Sequence, residues 1–200
     1  MDPTRIIGDI IFSAKYARTK KDFFTEVFLE WNDPEYIHDY VNKNKRFIEN
    51  NIFFHGYTLK DIETAITDEV TLFRESFNTF IENSRNHEYP GLEDRFYVLS
   101  KDKKPPDTRR KMYGHEENSN MMVSVLRLYA IKLPSKVADV IPCFLIIGGA
   151  IKFADNMEQM KQTRLILSRF DSVQNWLTLN KITTKEDLVQ YITNHEHHND

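Results

Sequence analysis

Two apolar segments of strand length constrain the fold of this chain more than any other feature. They occupy 121–133 and 143–153, and Pro134 and Pro142 bound the connection between them. Under the period of two of a β-strand, both faces of the first segment are largely apolar. A strand that is apolar on both faces lies inside a sheet that is covered on both sides. The pattern therefore predicts an α+β fold, in which a small antiparallel sheet is covered by several amphipathic helices.

Amphipathic helices are predicted before and after this strand pair. Asp33 and Pro34 favour a helix start, and so does Thr58, which has Asp61 three residues later as a shortened capping box. Residues near 5–13 are rich in β-branched side chains and predict one further strand. Apolar residues recur at helical spacing in the segments 23–31, 34–48, 59–81, 156–179 and 184–192.

The segment 100–120 is polar and contains Pro105 and Pro106, which predicts a mobile loop. Within 101–111, six cations face two aspartates, a local surplus of +4 in a chain whose formal net charge is -3. One interpretation is a solvated loop that maintains solubility. The other is an RNA contact. In that case the binding residues would be Lys103, Lys104, Arg109, Arg110 and Lys111.

Composition and length set the expected organisation. The 200 residues, 40% of them hydrophobic, suffice for one domain. Its expected parts are a helical region at about 20–99, the loop at about 100–120, and the sheet with the C-terminal helices at about 121–194. Cys143 is the single cysteine and lies in an apolar run, so we expect a reduced core thiol.

The chain shows no apolar stretch of membrane-spanning length and no signal-peptide layout, so we expect a cytoplasmic protein without a membrane partner. It contains neither a phosphate-binding glycine loop nor a paired-cysteine metal motif. We therefore expect no cofactor and no metal site.

Two motifs carry a resemblance to a known family, LRLYAIKL at 126–133 and IIGGAIK at 146–152. They follow an aromatic helical block with EWNDPEY at 30–36, a long helix and a polar loop. This order resembles chromosomal proteins of Bacteroidetes that look like distant RelE/HigB-type toxins of toxin-antitoxin modules. The resemblance implies a small antiparallel sheet packed on helices and an endoribonuclease that cleaves ribosome-bound mRNA. It also implies an antitoxin protein, mRNA and the ribosome as partners. The chain is larger than such toxins usually are, and it is acidic where they are normally basic.

Metal-independent RNA cleavage requires a base, a cation on the scissile phosphate and an acid for the leaving oxygen. The candidate catalytic residues near the sheet are Arg127, Tyr129, Lys152 and His115. Arg127 and Tyr129 are two apart in a strand, so they share a face and can place a phosphate clamp beside a phenol.

Structural interpretations of the same residues stay open. A helix carboxylate such as Glu69 or Glu75 would neutralise Arg127, Tyr129 would be a core ring, and Lys152 an ordinary strand-end lysine. The alternative function is then a non-catalytic interaction protein or a phage-related regulatory module, in which the sheet is only a scaffold.

Overall fold

The structure is a computed structural model that describes residues 1–99, 108–114, 122–154 and 156–196. Its centre is a six-stranded sheet in the order β1-β2-β6-β5-β4-β3. Together with the helices packed on it, this sheet confirms the α+β class. The strands are β1 (Asp2–Ile7), β2 (Ile11–Lys15), β3 (Tyr97–Val98), β4 (Arg109–Tyr113), β5 (Leu126–Leu133) and β6 (Cys143–Ile151).

The two apolar segments form the adjacent strands β5 and β6, as expected from their patterning. They pair antiparallel from Leu126 opposite Ile151 to Leu133 opposite Cys143. Every residue of β6 is buried. A strand that is buried on both faces needs cover on both sides of the sheet, and helices supply that cover.

The N-terminal prediction requires two corrections. Residues 2–15 form a hairpin of two strands rather than one strand, because the chain reverses at Gly8, whose φ of +51° suits glycine. In addition, β2 runs parallel to β6, so the sheet is mixed rather than purely antiparallel. A parallel pair needs a long connection, and here all the chain between β2 and β6 supplies it.

Two helices begin where the capping residues predict. Asp33 accepts backbone N–H groups at the start of α2 (Pro34–Lys43), and Thr58 forms a capping box with Asp61 at the start of α4 (Leu59–Asn86). Asp22, which was not among the predicted capping residues, accepts a backbone N–H at the start of α1 (Phe23–Trp31). His87, in the left-handed conformation, ends α4. The helices are α1 (Phe23–Trp31), α2 (Pro34–Lys43), α3 (Lys45–Glu49), α4 (Leu59–Asn86), α5 (Leu92–Arg95), α6 (Lys161–Leu179) and α7 (Lys185–Glu196).

Each face of the sheet carries its own apolar core. On one face, α1, α2 and α4 pack through residues such as Trp31, Val41 and Phe73. On the other face, α6 and α7 pack through Phe170 and Leu188. No helix in the described part of the chain is both long and apolar enough to cross a membrane.

The segment predicted as a loop at 100–120 contains a strand, so that prediction is wrong for 109–113. These residues form β4, which pairs with β5 on one side and with the two-residue strand β3 on the other. Only Met112 of this strand is buried. The strand lies near the edge of the sheet and its other residues are only partly covered, so its sequence lacks the apolar character of β5.

Candidate nucleic-acid interface

Strand register brings two tyrosines and two cations onto one face of the sheet at its β3 end. Tyr97 lies opposite Lys111, and Tyr113 lies opposite Arg127. Lys111 and Tyr113 are two apart in β4, so all four side chains lie on the same face of the sheet. We call these four residues the tyrosine-cation surface.

The rings and cations of this surface contact one another. The ring centroids of Tyr97 and Tyr113 are 5.7 Å apart in an edge-to-face arrangement. The Cζ atom of Arg127 lies 4.0 Å from the Tyr113 ring centroid, and Nζ of Lys111 lies 5.3 Å from it. Tyr113 is therefore held by an aromatic neighbour and by two cation–π contacts.

The surface is accessible from solvent. Tyr97 is 46% exposed, whereas Lys111, Tyr113 and Arg127 are half-buried. Exposed aromatic rings provide faces on which nucleic-acid bases stack, and neighbouring cations contact the phosphates. An aromatic ring on a strand with two neighbouring cations is thus suited to single-stranded nucleic acid.

Arg109 shares this face but is committed to α6. Its Nε donates to Oε1 of Gln174 at 3.0 Å, and its Nη2 donates to Oδ1 of Asp171 at 2.8 Å. Its guanidinium also lies 5.2 Å from the Phe170 ring centroid, and the side chain is only 14% exposed. Arg109, one of the predicted RNA-binding residues, therefore links β4 to α6, and Asp171 balances its charge.

The other predicted RNA-binding residues are dispersed. Arg110 lies on the opposite face of β4, and its Nη1 donates to the carbonyl oxygen of Arg109 at 3.0 Å. Lys111 alone belongs to the tyrosine-cation surface. Lys103 and Lys104 lie outside the described residues.

Tyr129, named as a catalytic candidate, is a buried core residue rather than a surface phenol. It is 1% exposed, and its ring meets that of Phe170 edge to face at 6.3 Å. Burial raises the pKa of the Tyr129 phenol far above its usual range. The core interpretation of this residue is therefore confirmed, and Tyr113 is the phenol that lies next to Arg127.

Arg127 is anchored on its inner side. Its Nη1 donates to Oγ of Ser124 at 3.0 Å and to the carbonyl oxygen of Leu126 at 2.7 Å. The Ser124 hydroxyl in turn donates to Glu69, one of the two helix carboxylates considered as partners of Arg127. Glu75, the other, is exposed on α4. Ser124 thus connects Arg127 to Glu69.

The two remaining catalytic candidates are Lys152 and His115. Lys152 follows β6, and its backbone N–H donates to the carbonyl oxygen of Val125 at 2.8 Å, which places it beside the start of β5. Its side chain is half-buried. His115 lies outside the described residues.

Two residues of the surface, Tyr97 and Tyr113, were missed by the sequence reasoning. The available signal was the segment RRKMY at 109–113, in which Met112 is the one aliphatic apolar residue and Tyr113 follows it. A strand near a sheet edge is only partly covered, so a single apolar aliphatic residue suits such a position. The short segment that contains Tyr97 offers no comparable pattern.

Neither a metal site nor a known relative defines this surface. Among the described residues, no group of three or more His, Cys, Asp or Glu side chains is placed to hold a metal ion. Comparisons with protein-family models, with curated proteins and with solved structures found no match. The function is therefore inferred from the geometry of the surface itself.

Proposed function

We propose that the protein binds single-stranded RNA on the tyrosine-cation surface. The observation that carries this proposal is the contact of the Tyr113 ring with Tyr97, Lys111 and Arg127 on one accessible face of the sheet. A formal net charge of -3 gives no general attraction for a polyanion, so binding depends on this local arrangement.

The two kinds of side chain have different roles in the proposed complex. The exposed ring of Tyr97 stacks on a base, an interaction worth about 1–3 kcal/mol per base. Lys111 and Arg127 contact phosphates, and the guanidinium of Arg127 suits two phosphate oxygens at once. Stacking on an exposed ring requires unpaired bases, which favours single strands over duplexes.

We further propose that the bound RNA is cleaved and that the protein is a toxin-like component of a toxin-antitoxin module, acting on mRNA without a metal ion. The observation that supports this proposal is that the Tyr113 ring lies close to two cations, those of Arg127 and Lys111. The likeness to RelE/HigB-type toxins is itself part of the proposal. Arg127 would stabilise the charge that develops on the scissile phosphate, and Lys111 or Tyr113 would transfer protons.

A non-catalytic interaction protein is the second candidate function. It is favoured by the pairing of Arg109 with Asp171, which removes one cation from the basic segment. Induced expression distinguishes the two candidates. A toxin arrests growth and leaves mRNA with new ends that map to cleavage sites, whereas an interaction module leaves the mRNA intact.

RNA binding is tested directly by fluorescence anisotropy with a labelled oligouridine of about 12 nucleotides, within the range of known site sizes. We expect Tyr97→Ala to weaken binding by about 1–3 kcal/mol, the value of one stacked base. Tyr89→Ala is the matched control, because Tyr89 is also an exposed tyrosine but lies outside the surface.

The contribution of charge is read from the salt dependence. We expect Lys111→Ala to reduce the slope of log Kobs against log salt concentration by about 0.7, the value for one phosphate contact in single strands. Lys181→Ala, at an exposed position after α6, is the control. The proposal fails if the parent protein binds no RNA at low salt, or if the control variants weaken binding as much as the surface variants.

A further inference from the structure

We infer that Glu69 and Ser124 act as positioning residues that hold Arg127 and Tyr113 in the geometry of the tyrosine-cation surface. This inference rests on the proposed RNA-binding function of that surface. Both residues are buried, Glu69 being only 2% exposed, so neither contacts RNA. Their effect on binding is exerted through the strands that they join.

Glu69 holds the start of β5 from the middle of α4. Its Oε2 accepts the backbone N–H of Val125 at 3.0 Å, and its Oε1 accepts that of Leu126 at 3.2 Å and the hydroxyl of Ser124. A carboxylate that is buried in an apolar core is retained only where such donors surround it. Every donor of this set lies in the three residues that precede Arg127.

Ser124 links Glu69 to β4 and β5, the two strands that carry Tyr113 and Arg127. Its hydroxyl oxygen accepts the backbone N–H of Gly114 at 3.1 Å and Nη1 of Arg127 at 3.0 Å, while its proton is donated to Glu69. Gly114 directly follows Tyr113 at the end of β4. One hydroxyl group therefore contacts both the cation of β5 and the residue next to the ring of β4.

Gly114 shows how closely the carboxylate approaches the strand. A Cβ atom at this position would lie 2.0 Å from Oε1 of Glu69 and 2.6 Å from its Cδ. The approach is thus possible only for glycine, and Gly114 cannot shift outward without breaking its bonds to Ser124 and to the carbonyl oxygen of Leu126.

The consequence for function concerns the Arg127 side chain. A long guanidinium side chain loses rotamer entropy when it is held in one orientation, and an arginine that is already held loses less on binding a phosphate. Ser124 provides one of the acceptors that hold it over the Tyr113 ring. Removal of the hydroxyl is therefore expected to loosen Arg127 without removing any group that contacts RNA.

The test compares Ser124→Ala with Ser84→Ala. Ser84 is a matched control, because it is also a buried serine whose hydroxyl accepts a backbone N–H, that of Leu92 at 2.7 Å, and it lies outside the surface. Both variants are measured at a temperature where they are fully folded. The first readout is the Nε–Hε NMR resonance of Arg127, which is sensitive to the ring current of Tyr113 and is assigned by its loss in Arg127→Lys.

We expect Ser124→Ala to shift this resonance and to weaken oligouridine binding by about 2- to 10-fold, the equivalent of one hydrogen bond. Ser84→Ala should leave both readouts at the parent values. Glu69→Gln is the second variant, because its amide group cannot accept all the bonds of the carboxylate, and it should change both readouts in the same direction.

The two proposals fail in distinguishable ways. If the parent binds RNA but Ser124→Ala and Glu69→Gln keep the parent resonance and affinity, the positioning role is refuted and RNA binding stands. If the resonance shifts in these variants but the parent binds no RNA, Arg127 is positioned as inferred and the proposed function is refuted. If Ser84→Ala changed both readouts as much as Ser124→Ala does, the effect of Ser124 would be one of general stability. That result would overturn the inference.

Discussion

Replacing Gly149 by alanine tests the packing of α1 on the central strand β6. An added Cβ would lie 2.6 Å from Cζ2 of Trp31 and 2.6 Å from Cγ1 of Val27. Both neighbours are almost fully buried, and neither is the flexible end of a long side chain. The methyl group can therefore be accommodated only if the helix or the strand moves.

The expected change in the free energy of unfolding caused by Gly149→Ala is the difference between two opposing terms. Overpacking a filled core by one methyl group costs about 1–3 kcal/mol. Replacing glycine by alanine within a strand returns about 0.5–1 kcal/mol of backbone entropy. Since real Cβ atoms do not approach neighbours to 2.6 Å, we expect the overpacking term to exceed the entropic gain, with a net loss of up to about 2.5 kcal/mol.

Urea unfolding followed by circular dichroism measures this loss, and a double-mutant cycle with Val27→Ala identifies its cause. Val27→Ala alone removes two methyl groups, at about 0.8 kcal/mol each before any cavity term. In the double variant the methyl of residue 149 occupies part of the space left by Val27, so we expect a favourable coupling of at least about 0.5 kcal/mol. A Gly149→Ala variant as stable as the parent, or strictly additive effects in the cycle, would refute the described packing.

Three further predictions concern the core and the C-terminal helix. Burial raises the pKa of the Cys143 thiol to about 12. We therefore expect this thiol to resist disulfide reagents at about pH 8 in the native protein and to react fully in denaturant. Rapid labelling of the native protein would show that β6 is not buried. Leu128→Asp places an unpaired charge in the sheet, at a cost of several kcal/mol against a total of about 5–15, and soluble, cooperatively unfolding protein would contradict this. Hydrogen bonds from the Ser135 hydroxyl and the backbone N–H of Lys136 lower the pKa of Glu186 from 4.5 to about 2, so the stability that Glu186 contributes is present above pH 4.5 and lost as pH falls toward 2. Glu186→Gln should therefore be less stable than the parent at neutral pH, and this difference should shrink in acid; a difference independent of pH would refute the assignment.

Local sequence patterns predict most of the helices and strands, because the interactions that form these elements join residues that are close together in the chain. The apolar runs give β5 and β6, and Asp33, Thr58 and Asp61 fix helix starts through side chains that accept nearby backbone N–H groups. The parallel pairing of β2 with β6 could not be predicted, because its partners are far apart in the chain and no turn specifies them.

The candidate site was only partly predictable, for the same reason. Arg127 is recognisable as a cation in an apolar run, and Glu69 is one of the helix carboxylates named as possible partners for it. The choice of Glu69, and its connection through Ser124, depends on where α4 crosses the sheet. The meeting of Tyr97 with Tyr113 depends on the register of β3 on β4, which a two-residue strand does not encode.

Photo-crosslinking tests the central claim most directly, because it reports which residue stacks on a base. RNA that carries 5-iodouridine is irradiated in complex with the protein, and the modified peptide is identified by mass spectrometry. We expect the cross-link at Tyr97 or Tyr113, and its loss from the Tyr97 peptide in Tyr97→Ala but not in the Tyr89→Ala control. Cross-links confined to other parts of the chain, or a pattern that Tyr97→Ala leaves unchanged, would contradict RNA binding on the tyrosine-cation surface.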